Sequence, residues 1–470
     1  MKTDRRSRRR NATMVGSPIL LSLLLAACTV GPDYRRPAVD LPEGYAVEQS
    51  PVPAAERWWT LFQDPVLDRL VDEALAGNAD LLAAAERVEQ ARAIAGLARA
   101  DQFPNAGIDA GASRNRASEQ GAFPLPPEAI ETSTYRAALR ASWELDFWGR
   151  YRRATEAARA ELAASEFGRL AVRASLVAEV SRGYFALRAL DRRLETAEST
   201  REGRGRALEL QKLRLDAGAV SEIEYRQIES DLRGAEALVP IIRQNREQQR
   251  SALAVLLGRT PREIFGADIA RGDPATPAAI EVPAGLPSDL LLRRPDVRAA
   301  EERLRAANAR IGVARAAYFP SITLTGAYGG ESQTLGDLFS PAARTWSVAG
   351  GLLQPLLTAG RIQSGVDLAD AQAREAALAY RKAIANAFRE VRDAIQAQGN
   401  ARETFAAQQR REQALARTFE LARLRYDNGA IGLFEVLETE RQLFAARLDA
   451  IDAERARRAA IVDLYLALGA

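Results

Sequence analysis

A glycine turn joining two long helical runs occurs twice in this chain, and that repetition limits the possible folds more than any other feature. The first copy reads Leu213-Arg-Leu-Asp-Ala-Gly218-Ala-Val-Ser221-Glu-Ile-Glu224, the second Leu424-Arg-Tyr426-Asp-Asn-Gly429-Ala-Ile431-Gly-Leu433-Phe-Glu435-Val-Leu-Glu438. Glycine closes a helix in the left-handed conformation at little steric cost, and Ser221 is a good N-cap for the helix that follows. The two glycines lie 211 residues apart, and the same shift aligns Glu224 with Glu435 and Glu229 with Glu440. Two helical hairpins with one tip sequence imply an internally duplicated chain.

Each half repeats one plan. Asp64-Pro65 can cap and open a helix that runs to about Ala100, with a break near Gly77-Asn78, and Phe103-Pro104 ends it. The second half opens a helix in Ser288-Asp-Leu-Leu-Leu-Arg-Arg-Pro-Asp296 and breaks it at Tyr318-Phe-Pro320. Both halves then change period. Tyr135, Ala137, Leu139, Ala141, Trp143 and Leu145 alternate with polar or small residues, as do Ile322, Leu324, Gly326 and Tyr328, and Trp346, Val348, Gly350 and Leu352. That is the two-residue period of strands, here at about 106–114, 133–146, 320–329 and 345–354. Gly149-Arg150 and Gly360-Arg361 open the two very long helices. The first, near 67 residues, would reach about 100 Å, beyond the needs of an ordinary globular core. Its apolar residues Val177, Val180, Tyr184 and Leu187 are spaced as in a coiled coil. A return helix closes each half, the first carrying Pro240 as a possible kink point. The expected division is 1–27 leader, 28–63 extended arm, 64–258 first repeat, 259–287 linker and 288–470 second repeat.

No segment after the leader offers 18 consecutive apolar residues, so no transmembrane helix is expected. Two isolated hairpins would have open edges in water, and in lipid unpaired backbone groups cost more. Four alternating strands of about ten residues with aromatics near their ends match transmembrane barrel strands. Four are too few to close a barrel, so several copies would have to pool them. Arg136, Arg140 and Glu144 then face the lumen, while Trp143, Tyr328 and Trp346 suit an aromatic girdle.

The leader also resolves the charge. The whole chain is +3, but residues 1–27 hold five arginines and a lysine against Asp4, and removing them leaves 3 − 5 = −2. A nucleic-acid partner is therefore not expected. A basic segment, the apolar run from Ile19 to Ala27 and then Leu25-Ala-Ala-Cys28 resemble the lipobox of bacterial lipoproteins. The resemblance implies cleavage before Cys28 and covalent lipid there; the plainer reading is a secretory leader with a chance cysteine. Thr29 rather than Asp favours the outer membrane by the usual sorting pattern. With no histidine and one cysteine, an intrachain disulfide, a Cys/His metal site and the commonest general base are excluded, and no phosphate loop occurs. An enzyme, a metal centre or any cofactor beyond that lipid is not expected.

Taken together, Cys28-Thr-Val-Gly-Pro-Asp-Tyr-Arg-Arg-Pro37, Arg57-Trp-Trp-Thr-Leu-Phe62, Tyr318-Phe-Pro-Ser-Ile-Thr-Leu324 and the tip at Gly429 resemble the TolC/OprM class of outer-membrane efflux ducts, in its lipoprotein branch. The resemblance implies a mainly α fold with a β-barrel part. A homotrimer pools four strands per chain into a twelve-stranded transmembrane barrel continuous with a periplasmic helical barrel. It implies a passive duct served by an inner-membrane RND pump and a periplasmic membrane-fusion adaptor. The family's periplasmic gate maps onto Glu224, Tyr426, Glu435 and Glu438, and the tips at Gly218 and Gly429 onto adaptor docking. One position departs: where TolC has an arginine, two places after the second glycine, this chain has Ile431, so closure is expected to lean on apolar packing by Ile431 and Leu433. From the residues alone, Glu435 and Glu438 also read as ordinary acids at a helix start. Metal-ion efflux, type I secretion and a periplasmic coiled-coil scaffold lipoprotein are the competing functions; the scaffold explains neither the strands nor the duplication.

Overall fold

The structure is a computed structural model describing residues 29–38, 57–120, 126–266, 268–275, 292 and 294–469. Cys28, the leader and Ser288 lie outside the described residues. In chain order the main elements are α1 (Pro65–Gly77), α2 (Ala79–Ala100), β1 (Asn105–Arg116), β2 (Glu131–Glu144), α3 (Arg150–Asp216), α4 (Glu222–Leu256), α5 (Pro261–Gly266), α6 (Pro295–Ala316), β3 (Ser321–Ser332), β4 (Arg344–Leu353), α7 (Arg361–Asp427) and α8 (Leu433–Leu468). Asn78 interrupts α1 and α2 because its side chain accepts the amides of Asp80 and Leu81 at 3.0 Å and donates to the Leu256 carbonyl at 2.9 Å. Helix α4 continues through Pro240. Both long helices, α3 and α7, have 67 residues. No helix among the described residues is long and apolar enough to cross a membrane.

The chain forms two compact units, each built from both halves of the sequence. The first holds one antiparallel sheet in the order β1-β2-β3-β4. Its register aligns Ile108, Leu139, Tyr328 and Trp346 in one row across all four strands. Residues directly opposite in a sheet share a face, and these four are 82, 55, 57 and 74% exposed. Trp143, Leu324 and Val348 lie on that same face. The other face carries Asp109 between Arg136 and Arg140, whose Nη2 atoms stand 3.4 and 3.2 Å from its Oδ1. The charged and apolar faces are thus those the alternation predicts. Strand β2 stops at Glu144 rather than 146 because Asp146 turns to cap α3, accepting the amides of Tyr151 (3.2 Å) and Arg152 (2.8 Å).

In the same unit, residues 29–36 lie extended along α6. Val30 N–H donates to the Trp148 carbonyl at 3.0 Å, and Asn308 donates to the Pro32 carbonyl at 2.9 Å. Asp33 pairs with Arg153 at 2.7 Å, and Arg36 donates twice to Glu301, at 2.8 and 2.9 Å. Gly31 and Gly312 meet backbone to backbone: a Cβ on Gly31 would sit 2.5 Å from the Gly312 Cα.

The second unit holds the largest core. A 3-10 turn, Trp58–Phe62, sits in it, so the last part of the arm expected to be extended is helical. Three large apolar side chains within five residues cannot all be buried by an extended strand, and the tight turn brings them to one side. Trp58 stacks on Tyr465 at 5.2 Å and Phe62 packs on Phe185 at 4.7 Å. Asp64, 1% exposed, caps α1 through the Val66 amide and accepts the Tyr184 hydroxyl at 2.5 Å. That hydroxyl accepts the Gly272 amide at 2.8 Å. Burial and the bond to Asp64 push the Tyr184 pKa well above its usual value, so the phenol stays a donor. The stretch before Ala275 is therefore packed rather than a free linker, with Ile269 fully buried in this core.

Candidate functional site: the helical hairpin tips

Both tips are built the same way, and both belong to the second unit. At the first, Gly218 (φ 69°) donates to the Leu215 carbonyl and Ala219 to the Arg214 carbonyl, each at 2.8 Å. At the second, Gly429 (φ 72°) donates to Tyr426 and Ala430 to Arg425, again at 2.8 Å. This paired 6→1 and 5→2 pattern is the Schellman ending, and its left-handed residue is what demands glycine. A Cβ at either glycine meets nothing within 4 Å, so the requirement is conformational, not steric.

The restart of the chain differs between copies. Ser221 and Glu224 form a capping box, with the Glu224 carboxylate accepting the Ser221 amide at 2.8 Å. The acid the resemblance assigns to the gate thus serves its own helix start. In the second copy Gly432 replaces Ser221 and offers no side-chain cap. Glu435 is exposed in the first turn of α8. Glu438, one turn on, accepts from Gln442 at 2.8 Å and stands 3.4 Å from Arg441. Glu224 and Glu435 thus lie in the first turns of α4 and α8, and Glu438 follows Glu435 by three places, on a neighbouring position of one face.

Tyr426 is half-buried and joins the two hairpins. Its hydroxyl accepts from Arg214 at 3.2 Å, and its ring packs with Leu208 against the buried cluster of Ile228, Leu433 and Leu437. Leu433 thus contributes apolar packing across the tips; Ile431 is half-buried beside it. The structure brings Tyr426 and Leu433 together and leaves Glu224, Glu435 and both glycines at the periphery.

One residue at this site was not singled out from sequence. Arg204 of α3, 8% exposed, donates through Nη1 to the Asp231 carbonyl of α4 at 2.8 Å and through Nε to Glu440 of α8 at 3.1 Å. Its guanidinium also stands 5.7 Å from the Phe444 ring centroid. It ties three helices of both hairpins at once. Arg441 extends this group, 4.0 Å from Asp231 and 3.4 Å from Glu438. The duplication sharpens the contrast: Glu229, the first-copy match of Glu440, pairs only along its own helix, with Arg226 at 2.8 Å and Arg233 at 4.0 Å. The one sequence signal was Gly203-Arg204-Gly205, two poor helix formers around a charge where the second copy has Ala414-Leu415-Ala416. Beside these contacts a cleft of about 540 Å³ is lined by Arg206, Gln211, Tyr426, Leu433, Glu440 and their neighbours.

Among known proteins, the Outer membrane efflux protein family matches residues 70–259 and 286–470. The cation efflux system protein CusC of Escherichia coli is 33% identical over 458 residues, 96% of this chain and 97% of that protein. The toluene efflux pump outer membrane protein TtgI of Pseudomonas putida is 34% identical over 462 residues, with the same coverage. The crystal structure of the Campylobacter jejuni CmeC outer membrane channel superposes with a TM-score of 0.89 at 28% identity, covering 94% of this chain and 95% of that one.

Proposed function

The chain belongs to the outer membrane efflux protein family, and from that premise we propose that it is the passive exit duct of a tripartite RND-type efflux system, trimeric and set in the outer membrane. One observation carries the assembly. The sheet exposes a continuous apolar face while β1 and β4 each have a single strand neighbour among the described residues. An apolar face suits lipid, and unpaired edges do not. Closure by other copies satisfies both, and three copies give twelve strands, with Arg136, Asp109 and Arg140 turned to the lumen. Cys28 would carry the lipid anchor, and the arm that follows it is held in place from Val30 onward. An inner-membrane pump supplies energy, and a periplasmic adaptor meets the tips around Gly218 and Gly429.

Glu435 and Glu438 are proposed to ring the periplasmic end of the pore, three of each around the axis. Converging carboxylates focus negative potential and favour cations. Tyr426, Ile431 and Leu433 would close the tips by packing, in keeping with the apolar cluster that holds Leu433 and Tyr426. Near-equal similarity to a cation-efflux and a toluene-efflux protein favours a duct with little selectivity of its own, the cargo being set by the pump.

The test is the mass and outline of the protein extracted in detergent from outer-membrane fractions. A trimeric hollow cylinder is expected. A monomer, or a rod without a barrel, would refute the shared-sheet reading.

A further inference from the structure

The structure assigns a phosphate-binding site to the second unit, away from the tips, in a cavity of about 160 Å³ between α3, α8 and the segment after α5. Its walls carry Arg188 and Arg192 from α3, Arg455 and Arg458 from α8, and only two acids, Asp273 and Glu454. Four cations against two anions leave the cavity at +2.

The pairing inside is incomplete in a specific way. Glu454 is shared, standing 2.8 Å from Arg458 and also bonded to Arg192. Asp273 holds Arg188 at 3.2 Å, but its carboxylate is fully in solvent, where such a pair is weak. The Nε atoms of Arg188 and Arg458 are both buried and have no hydrogen-bond partner. Arg458 also donates to the Pro274 carbonyl at 3.0 Å and stands 5.9 Å from the Phe185 ring centroid. Burial, with Arg188 and Arg192 adding repulsion, lowers the Arg458 pKa despite Glu454. A buried donor without an acceptor is costly, and two neighbouring arginines carry one each.

A guanidinium fork matches a tetrahedral oxyanion, and a phosphate group carries between −1.5 and −2 near neutral pH. It would cancel the surplus charge and accept from the guanidinium groups that line the cavity. Arg455, which is exposed, would act as the outer cation of the site.

The test is equilibrium dialysis of the full detergent-extracted chain with radiolabelled inorganic phosphate at fixed ionic strength, with glycerol phosphate as a second arm. One saturable site per chain is expected. Arg458→Met should weaken it at least about tenfold, the loss of a charge-assisted contact. Because Arg458 also packs in the core, Arg455→Gln serves as the variant that leaves folding intact, and it should weaken binding several-fold. Equal binding of glycerol phosphate would point to a phosphoryl group borne on a larger molecule, and binding of inorganic phosphate alone to the free anion. No saturable binding, or binding untouched by Arg455→Gln and Arg458→Met alike, would overturn the assignment.

Discussion

Replacing Arg204 by Met tests whether the two hairpins are held by one buried charge. Methionine keeps the length of the stem and its contact with Phe444 while deleting both donated bonds. The Asp231 carbonyl lies within α4 and keeps its helical partner, so most of the loss falls on Glu440. Stripping one partner from a fully buried pair costs about 3–5 kcal/mol. The Glu440 side chain is 27% exposed and can recruit water, which brings the expected cost to about 2 kcal/mol. If that energy holds α8 to the first hairpin, amides in the first turns of α8 should exchange about 30-fold faster with solvent. Amides near Trp58 and Tyr465, in the large core, should be unchanged. The same cycle with Glu440→Gln separates the pair from its surroundings: a coupling of about 1.5–2 kcal/mol is expected from the direct contact. A coupling below about 0.5 kcal/mol, within the scatter of independent sites, would show that Arg204 is only packed there and that the hairpins are held by the apolar cluster alone.

Three further outcomes follow from the geometry. Gly218→Ala and Gly429→Ala should each cost about 1 kcal/mol in denaturant unfolding, equally, because both glycines hold the same left-handed turn in open space; unequal costs would mean the tips are not equivalent. Glu301→Gln should speed tryptic cleavage after Arg35, since its buried carboxylate accepts both bonds from Arg36 and one from Tyr34; an unchanged rate would mean the arm is held from Thr29 to Asp33 alone. The Asp268 carboxyl is pushed up by burial but held below its usual 3.8 overall by Arg271 and the Ile269 amide. A group depressed on folding stabilises above its unfolded pKa and loses that contribution as pH falls through the folded value. The protection factor of the Ile269 amide, the exchange rate taken relative to the free peptide at the same pH, should therefore fall once pH drops below 3.8, and Asp268→Asn should remove that dependence.

The helix ends were legible because they are local. Gly149, Gly218, Gly360 and Gly429 mark positive-φ turns, and Asp64-Pro65 marks a cap, so each is written within a few residues. The strands were legible because a two-residue period survives when one face is apolar, as from Tyr135 to Trp143. What sequence missed is non-local. Nothing near Arg204 announces Glu440, 236 residues away. Nor does the Pro/Gly-rich composition around Ile269 announce that a single apolar residue there is fully buried. Trp58 to Phe62 looked extended because they follow a proline-rich stretch, yet aromatic burial decided their shape. Glu224 was assigned to the gate by position, and its capping bond depends on Ser221, which the second copy lacks.

The arm along α6 also has a consequence in polymer terms. A tether adds freedom with each residue, its reach growing roughly as the square root of its length. Here the chain is gripped at Val30, Asp33 and Arg36, so almost no slack remains between Thr29 and the folded body. Thr29 therefore moves with the sheet's end of α3 as a fixture rather than as the end of a leash. Its place is set by a few hydrogen bonds, and lengthening the arm beyond Arg36 would leave it where it is.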